Sequence, residues 1–117
     1  MAIRRIKPNI LSTDVAGSRA FYRDVLGLDE QNGLDWISFY SAPGAPELQL
    51  SVMELDRTAG VHPDVSVEAD DVEALYERAV AAGCEIVHPL TDEPWGVRRF
   101  FVRDPNGAVV NVMRHLA

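Results

Sequence analysis

Apolar and polar residues alternate from Ile3 to Leu11, with Ile6 and Ile10 on one parity and Lys7 and Asn9 on the other, the two-residue period of a strand. The period then changes. Through AGSRAFYRDVLG and the leucine after it, Phe21, Val25 and Leu28 recur at helical spacing; Asp14 or Thr13 can cap the start and Gly27 can stop the end. Asn32-Gly33 predicts a two-residue hairpin turn. Trp36–Ser41 reads as a strand, Ala42-Pro43-Gly44-Ala45-Pro46 as a turn, and Leu48–Leu55 as another strand. The first half is strand, helix, then three strands.

After a short link, Arg57-Thr58-Ala59-Gly60, a strand is expected from His62 to Ala69, with Val65, Val67 and Ala69 alternating against Asp64, Ser66 and Glu68. Asp70 can cap the next helix, with Glu73 placed as in a capping box. That helix carries Val72, Leu75, Ala79 and Ala82 on one stripe and ends at Gly83. Glu85–His88 reads as a short strand and Pro89–Gly96 as a polar loop holding Trp95. Two last strands, Phe100–Val102 and Val109–Val112, flank a turn at Asp104-Pro105-Asn106-Gly107, where proline fixes φ and glycine relieves a left-handed residue. One polar residue, Asn111, interrupts the returning strand.

Both halves have the order βαβββ, and their residues repeat as well. An offset of 57 lays Asp71 over Asp14 and brings Gly83 within one position of Gly27. An offset of 62 lays Phe101 over Phe39, Pro105 over Pro43, Val110 over Leu48 and Val112 over Leu50. The sequence therefore predicts one α+β domain of two tandem modules, 1–56 and 61–117.

Composition narrows the partners. With 18 acidic against 11 basic residues the net charge is −7, which repels nucleic acid and anionic membranes and favours neutral or cationic ligands. Cys84 is the only cysteine, so no internal disulfide or cysteine metal cluster can form; after Gly83 it reads as a small buried apolar residue. No apolar run reaches the length of a membrane span, and Arg4, Arg5 and Lys7 break the start where a leader would need its apolar core. A cytoplasmic location with no nucleic-acid or membrane partner is expected. No Ser-His-Asp or Cys-His order, phosphate loop or basic stripe occurs.

Three stretches, FYRDVLGL, DDVEALYERAVAAG and PWGVRRFFVRDPNGAVVNV, together resemble the vicinal oxygen chelate superfamily of glyoxalase, extradiol dioxygenases, fosfomycin-resistance enzymes and bleomycin-resistance proteins. The resemblance covers nearly the whole chain. It implies a glyoxalase-like fold, in which two βαβββ modules curl a mixed sheet into an open cup with the helices outside. It also implies a homodimer with ligand sites at or near the module interfaces. Enzymes of the family hold a divalent metal through His or Glu on the first and last strand of each module. Carried over by the repeat, those positions fall on Lys7, Gln49, Asp64 and Asn111. A lysine ammonium has no lone pair to donate and neutral amides bind such metals weakly, so only Asp64 is a competent ligand. The expectation is a metal-free, cofactor-free member of the bleomycin-resistance-like branch.

The same four residues lie on strands whose other face is apolar, so they should line the cup, with Asn9, Ser51, Ser66 and Glu68 sharing their parity and extending the lining. A satisfied polar network without any ligand would use the same residues. Trp36 and Trp95 sit at the expected rims, where aromatic faces can stack on a flat or cationic ligand; packing in the core or a dimer interface is the plainer use. Arg98 and Arg99 alternate on one strand, so one of them faces the cup, and Arg98 is carried as the candidate. His62, His88 and His115 are read as surface or turn residues. The leading function is metal-independent sequestration of a small aromatic or cationic molecule, with Lys7, Asn9, Trp36, Gln49, Asp64, Ser66, Trp95, Arg98 and Asn111 as the binding set. The alternatives are a glyoxalase-type lyase, isomerase or dioxygenase, with Asp64 or Glu68 as base, and a regulatory or partner subunit.

Overall fold

In a computed structural model, which describes residues 2–116, the elements run β1 (Ile3–Leu11), a π-helical segment (Ala20–Val25), β2 (Asp29–Leu34), β3 (Ile37–Ala42), β4 (Ala45–Met53), β5 (Val65–Ala69), α1 (Val72–Ala81), β6 (Ile86–Glu93), β7 (Val97–Arg103) and β8 (Val109–His115). Strand, helix and three strands thus occur twice, and the fold is the α+β tandem expected. The chain forms two compact units: Lys7–His62, and Pro63 onward together with the residues ahead of Lys7. In the first, the strands lie in the order β2-β3-β4-β1; in the second, β5-β8-β7-β6. Each sheet is mixed, with β1·β4 and β5·β8 parallel and the hairpins antiparallel.

The pleat of β7 and β8 decides what each face of the second sheet does. Phe100 and Val112 are buried against Val72 of α1, with Leu75, Tyr76, Ala79, Val102 and Val110 packed around them. Tyr76 meets Phe100 edge-on at 5.0 Å between ring centroids. Because successive side chains point to opposite faces, Arg99, Phe101, Asn111 and Met113 take the face away from the helix. The helix is further tied down on its own side. Glu73 accepts from Arg114 at 3.0 Å and from Arg98, which also clasps Asp92. These arginines hold the Glu73 carboxyl down at about 2, against 4.5 for a free group.

The repeat is realised at the helix ends. Asp14 accepts from Gly17 N at 2.9 Å and Asp71 from Ala74 N at 3.0 Å, so the N-cap of α1 is Asp71 rather than Asp70. Asp70 instead accepts from Ala2 N. Gly27 and Gly83 both take φ of +75°, the left-handed stop that glycine makes without strain.

The first helix departs from expectation. Its bonds step back five residues, as in Leu26 N to Phe21 O at 3.0 Å, and the extra residue in the turn rotates the face. Tyr22 packs on Tyr40, while Phe21, Val25 and Leu26 are exposed, so the expected Phe21–Val25 stripe does not cover the sheet. Asn32-Gly33 lies within β2, and the turn is Asp35-Trp36. Leu34 pairs with Ile37, and a side chain on Gly33 would collide with the Ile37 carbonyl, so that glycine serves a close approach at a bulge and not a turn. The Pro89–Gly96 loop is mostly strand: β6 runs through Pro89 to Glu93 as the sheet edge, where a missing N–H costs nothing. Cys84 is exposed, carried outward by the turn after Gly83.

The low-lying carboxyl of Glu73 generates a pH prediction. A folded-state value below the unfolded one stabilises at neutral pH, and that contribution is lost as pH falls from about 4.5 towards about 2. Chemical denaturation of wild type and Glu73→Gln should show wild type more stable at pH 7, with the gap closing by about pH 2. A gap independent of pH would contradict the ion-pair assignment.

Candidate functional site

In the second unit, a row of side chains crosses β8, β7 and β6 on the face turned away from α1. Asn111 is opposite Phe101, and Phe101 is opposite His88. Phe101 is fully buried, and the His88 ring rests against it at 5.3 Å. Beside Phe101, Arg99 is only 4% exposed, and Glu93 holds its guanidinium through Nε at 2.8 Å and Nη2 at 2.7 Å. The Arg99 Cζ lies 4.7 Å from the Phe101 ring centroid and 5.0 Å from that of Trp95, which is half exposed in the turn between β6 and β7. A buried ion pair, two rings and a histidine thus form one cluster, and Glu93 Oε2 is 3.6 Å from His88 Nε2.

At the end of that row Asn111 donates Nδ2 to Ser66 Oγ at 3.1 Å. Its Oδ1 is buried and finds no hydrogen-bond partner among the described residues. An orphaned buried acceptor costs about 1–3 kcal/mol, so its persistence needs a reason.

The first unit repeats the pattern. Phe39 has the Lys7 ammonium 4.6 Å from its ring centroid, and its partner across β3·β4 is Ser51. Ser51 is fully buried beside Asn9, and its Oγ is likewise without a hydrogen-bond partner among the described residues. Phe39 corresponds to Phe101 at the offset of 62, and Asn9 to Ser66 at 57. Asn9 pairs with Ser51 and Ser66 pairs with Asn111, so the counterpart of Asn111 is Ser51. Gln49 stands two residues short of it, and its Nε2 donates to Pro46 O at 2.7 Å. The 62-residue offset does not survive the turn: β3 and β4 are joined at Pro43-Gly44 after a register shift, while Asp104–Ala108 separate β7 from β8.

The remaining predicted residues fall as follows. Asp64 lies just before β5, where Oδ2 accepts from Val109 N at 2.8 Å, a clasp between strand ends. Ser66 is buried against Asn111. Trp36 is half-buried in the β2–β3 turn. Arg98 is on the helix side with Glu73 and Asp92, so the arginine on the Phe101 face is Arg99. The first unit also holds a cleft of about 460 Å³ bordered by Val15, Arg19, Glu30, Asp35 and Ser38. Ser38 pairs with Val52, one position out of phase with Phe39 and Ser51, and Arg19 and Glu30 satisfy each other at 2.6 Å.

Sequence reasoning placed Ser51 in the lining and left Arg98 and Arg99 open between the two faces; it missed Glu93 and the part of His88, read only as a surface or turn residue. His88 and Glu93 are five residues apart, so strict alternation puts them on opposite faces; the single register shift between His88 and Thr91 in β6·β7 restores them to one. That signal is absent from the hydropathy pattern. The matched pair Phe39 and Phe101 marks Ser51, and not Gln49, as the counterpart of Asn111, since each phenylalanine lies opposite one of them.

With Ser51 in place of Gln49, the positions carried over from the family are Lys7 and Ser51 in the first unit and Asp64 and Asn111 in the second. Neither pair fits a divalent ion: the first is an ammonium and a hydroxyl, and the second an amide and a carboxylate already used by an amide N–H. No group of three or more His, Cys, Asp or Glu among the described residues is placed to hold a metal ion.

Comparison with known proteins agrees with the fold. The model of the Glyoxalase/Bleomycin resistance protein/Dioxygenase superfamily matches residues 5–112. An NAD-dependent benzaldehyde dehydrogenase structure from Legionella pneumophila aligns with a TM-score of 0.73 at 13% identity, over 94% of this chain and 98% of that one. A glyoxalase/bleomycin resistance protein/dioxygenase superfamily member from Vibrio splendidus 12B01 aligns at 0.69 and 19%, over 97% and 99%. At such identities these show the fold alone. The Mn(II)-bound glyoxalase from Novosphingobium aromaticivorans is 26% identical with a TM-score of 0.67, over 98% of this chain but 39% of that one. No protein of curated function matches the sequence.

The two neighbouring arginines should respond very differently to the same change. Arg99→Gln leaves Glu93 buried without its cation and should cost about 3 kcal/mol in denaturant unfolding. Arg98→Gln, at a partly solvated pair, should shift the midpoint far less. Equal effects would contradict the burial assigned to Arg99.

Proposed function

The chain belongs to the Glyoxalase/Bleomycin resistance protein/Dioxygenase superfamily, and on that premise we propose that it binds a small aromatic or cationic molecule without a metal, as a homodimer. It acts by sequestration, in the manner the bleomycin-resistance name suggests, and tight binding alone lowers the free concentration of the compound. One observation carries this reading: Ser51 Oγ and Asn111 Oδ1, at the same position of the two modules, are both buried and both lack a hydrogen-bond partner among the described residues. A satisfied structural network would not orphan the same position twice. A ligand bearing hydrogen-bond donors supplies what Asn111 Oδ1 lacks, and a hydroxyl such as Ser51 can serve as donor or acceptor.

Among the described residues no group of three or more His, Cys, Asp or Glu suits a Mn(II) such as the Novosphingobium relative holds. A catalytic reading would ask Asp64 or Glu68 to act as base. Asp64 is engaged by Val109 N, and Glu68 Oε1 lies 3.2 Å from His115 Nε2, so no observation favours it. The dimer is supported by large apolar side chains left open to solvent, among them Ile6, Phe21 and Val25.

Two measurements test this. A panel of aromatic and cationic compounds, read by tryptophan fluorescence, should yield ligands whose affinity is unchanged by excess EDTA and at least tenfold weaker in Asn111→Leu. Loss of binding in EDTA, or full affinity in Asn111→Leu, would overturn the reading. Sedimentation equilibrium should return twice the 12.9 kDa chain mass; a monomer at micromolar concentration would remove the dimer.

A further inference from the structure

Trp95 stands on a cation of the protein's own. The Arg99 Cζ lies over its ring at 5.0 Å from the centroid, while Trp95 as a residue is 51% exposed. The turn that presents it is pinned from both sides: Gly96 N donates to Glu93 O at 3.0 Å, Leu116 N donates to Gly96 O at 2.8 Å, and Gly96 adopts φ of +91°, which suits only glycine. The ring is therefore held ready, and little ordering remains when a flat ligand stacks on it.

We infer that Arg99 makes Trp95 a platform selective for aromatic ligands that are neutral or negatively charged, and unfavourable to cations. The inference rests on the small-molecule-binding reading above and narrows its ligand class. The attraction of an aromatic face for a cation comes from the negative charge of that face. A guanidinium on one side draws this charge towards itself and leaves the other side poorer in it. A cationic ligand on the outer face would also set a second positive charge across the ring from the first. Glu93 does not undo this, because it meets the guanidinium at its edge, through Nε and Nη2, while Cζ stays over the ring. Aromatic stacking itself needs no charge on the ligand. The local preference thus opposes the net charge of −7, which draws cations to the surface as a whole.

The test uses three bicyclic probes of similar size: 1-naphthol, naphthalene-2-sulfonate and N-methylquinolinium. Trp36→Phe leaves Trp95 as the only tryptophan, so its fluorescence reports stacking directly, and calorimetry reports binding anywhere. Naphthol and the sulfonate should bind at least tenfold tighter than the quinolinium and should quench Trp95. The paired replacement Arg99→Met with Glu93→Leu removes the ion pair without stranding either charge. It should raise quinolinium affinity at least fivefold relative to naphthol. In Trp95→Leu, which leaves the ion pair intact, naphthol should bind at least tenfold more weakly by calorimetry. Equal affinity for all three probes, an unchanged ratio in the paired variant, or full naphthol affinity in Trp95→Leu would overturn the inference. Heat of binding without a change in Trp95 fluorescence would overturn the platform and leave the binding reading standing; neither heat nor quenching with any probe would overturn both.

Discussion

The packing of Phe100 and Val112 on Val72 fixes the rest of the second unit. Burying large apolar side chains contributes roughly 1.5–3 kcal/mol each, far more than a solvated ion pair can. Once those two face α1, the pleat leaves no choice for their neighbours. Arg99, Phe101 and Asn111 must take the other face, and a one-residue slip would exchange the two sets. The faces taken by Arg99 and Asn111 follow from that apolar contact.

A buried arginine among aromatic rings is tolerable because Glu93 Oε2 meets both its Nε and its Nη2, where both side chains are buried. The same tolerance is not extended to Ser51 Oγ or Asn111 Oδ1, which are buried without such partners. Their recurrence at one position of a duplicated module separates them from accidental strain. Each differs in kind from a metal ligand: an amide oxygen or a hydroxyl recognises by hydrogen bonding, and cannot polarise a substrate as a bound dication would.

Much of the fold was legible because duplication supplied a second reading of each element. Asp14 and Asp71, Gly27 and Gly83, and Phe39 and Phe101 marked caps, stops and strands that the structure contains. What remained hidden has a common cause. Gly33 looked like a turn residue and instead permits close approach at a bulge; the register shift between His88 and Thr91 carries Glu93 to the face of His88; and the short Pro43-Gly44 turn moves the counterpart of Asn111 from Gln49 to Ser51. Each is a break in a two-residue period, and periodicity alone cannot report where it breaks. The five-residue backbone step after Phe21 is the helical version of the same blindness. Asp64, a carboxylate on the expected parity, turned out to clasp Val109, a role no spacing announces.

The central claim, that this member of the superfamily recognises its ligand with amide, hydroxyl and aromatic groups in place of a metal, is tested most directly by metal stoichiometry. The protein should be purified without chelator or affinity-tag metal, analysed by plasma mass spectrometry, and titrated back with zinc, nickel, manganese and iron(II) while thermal stability is followed. The account predicts far less than one ion per chain and no stabilisation by any of the four. One tightly bound ion per chain or per dimer, with a matching rise in melting temperature, would contradict it and would require ligands other than Lys7, Ser51, Asp64 and Asn111.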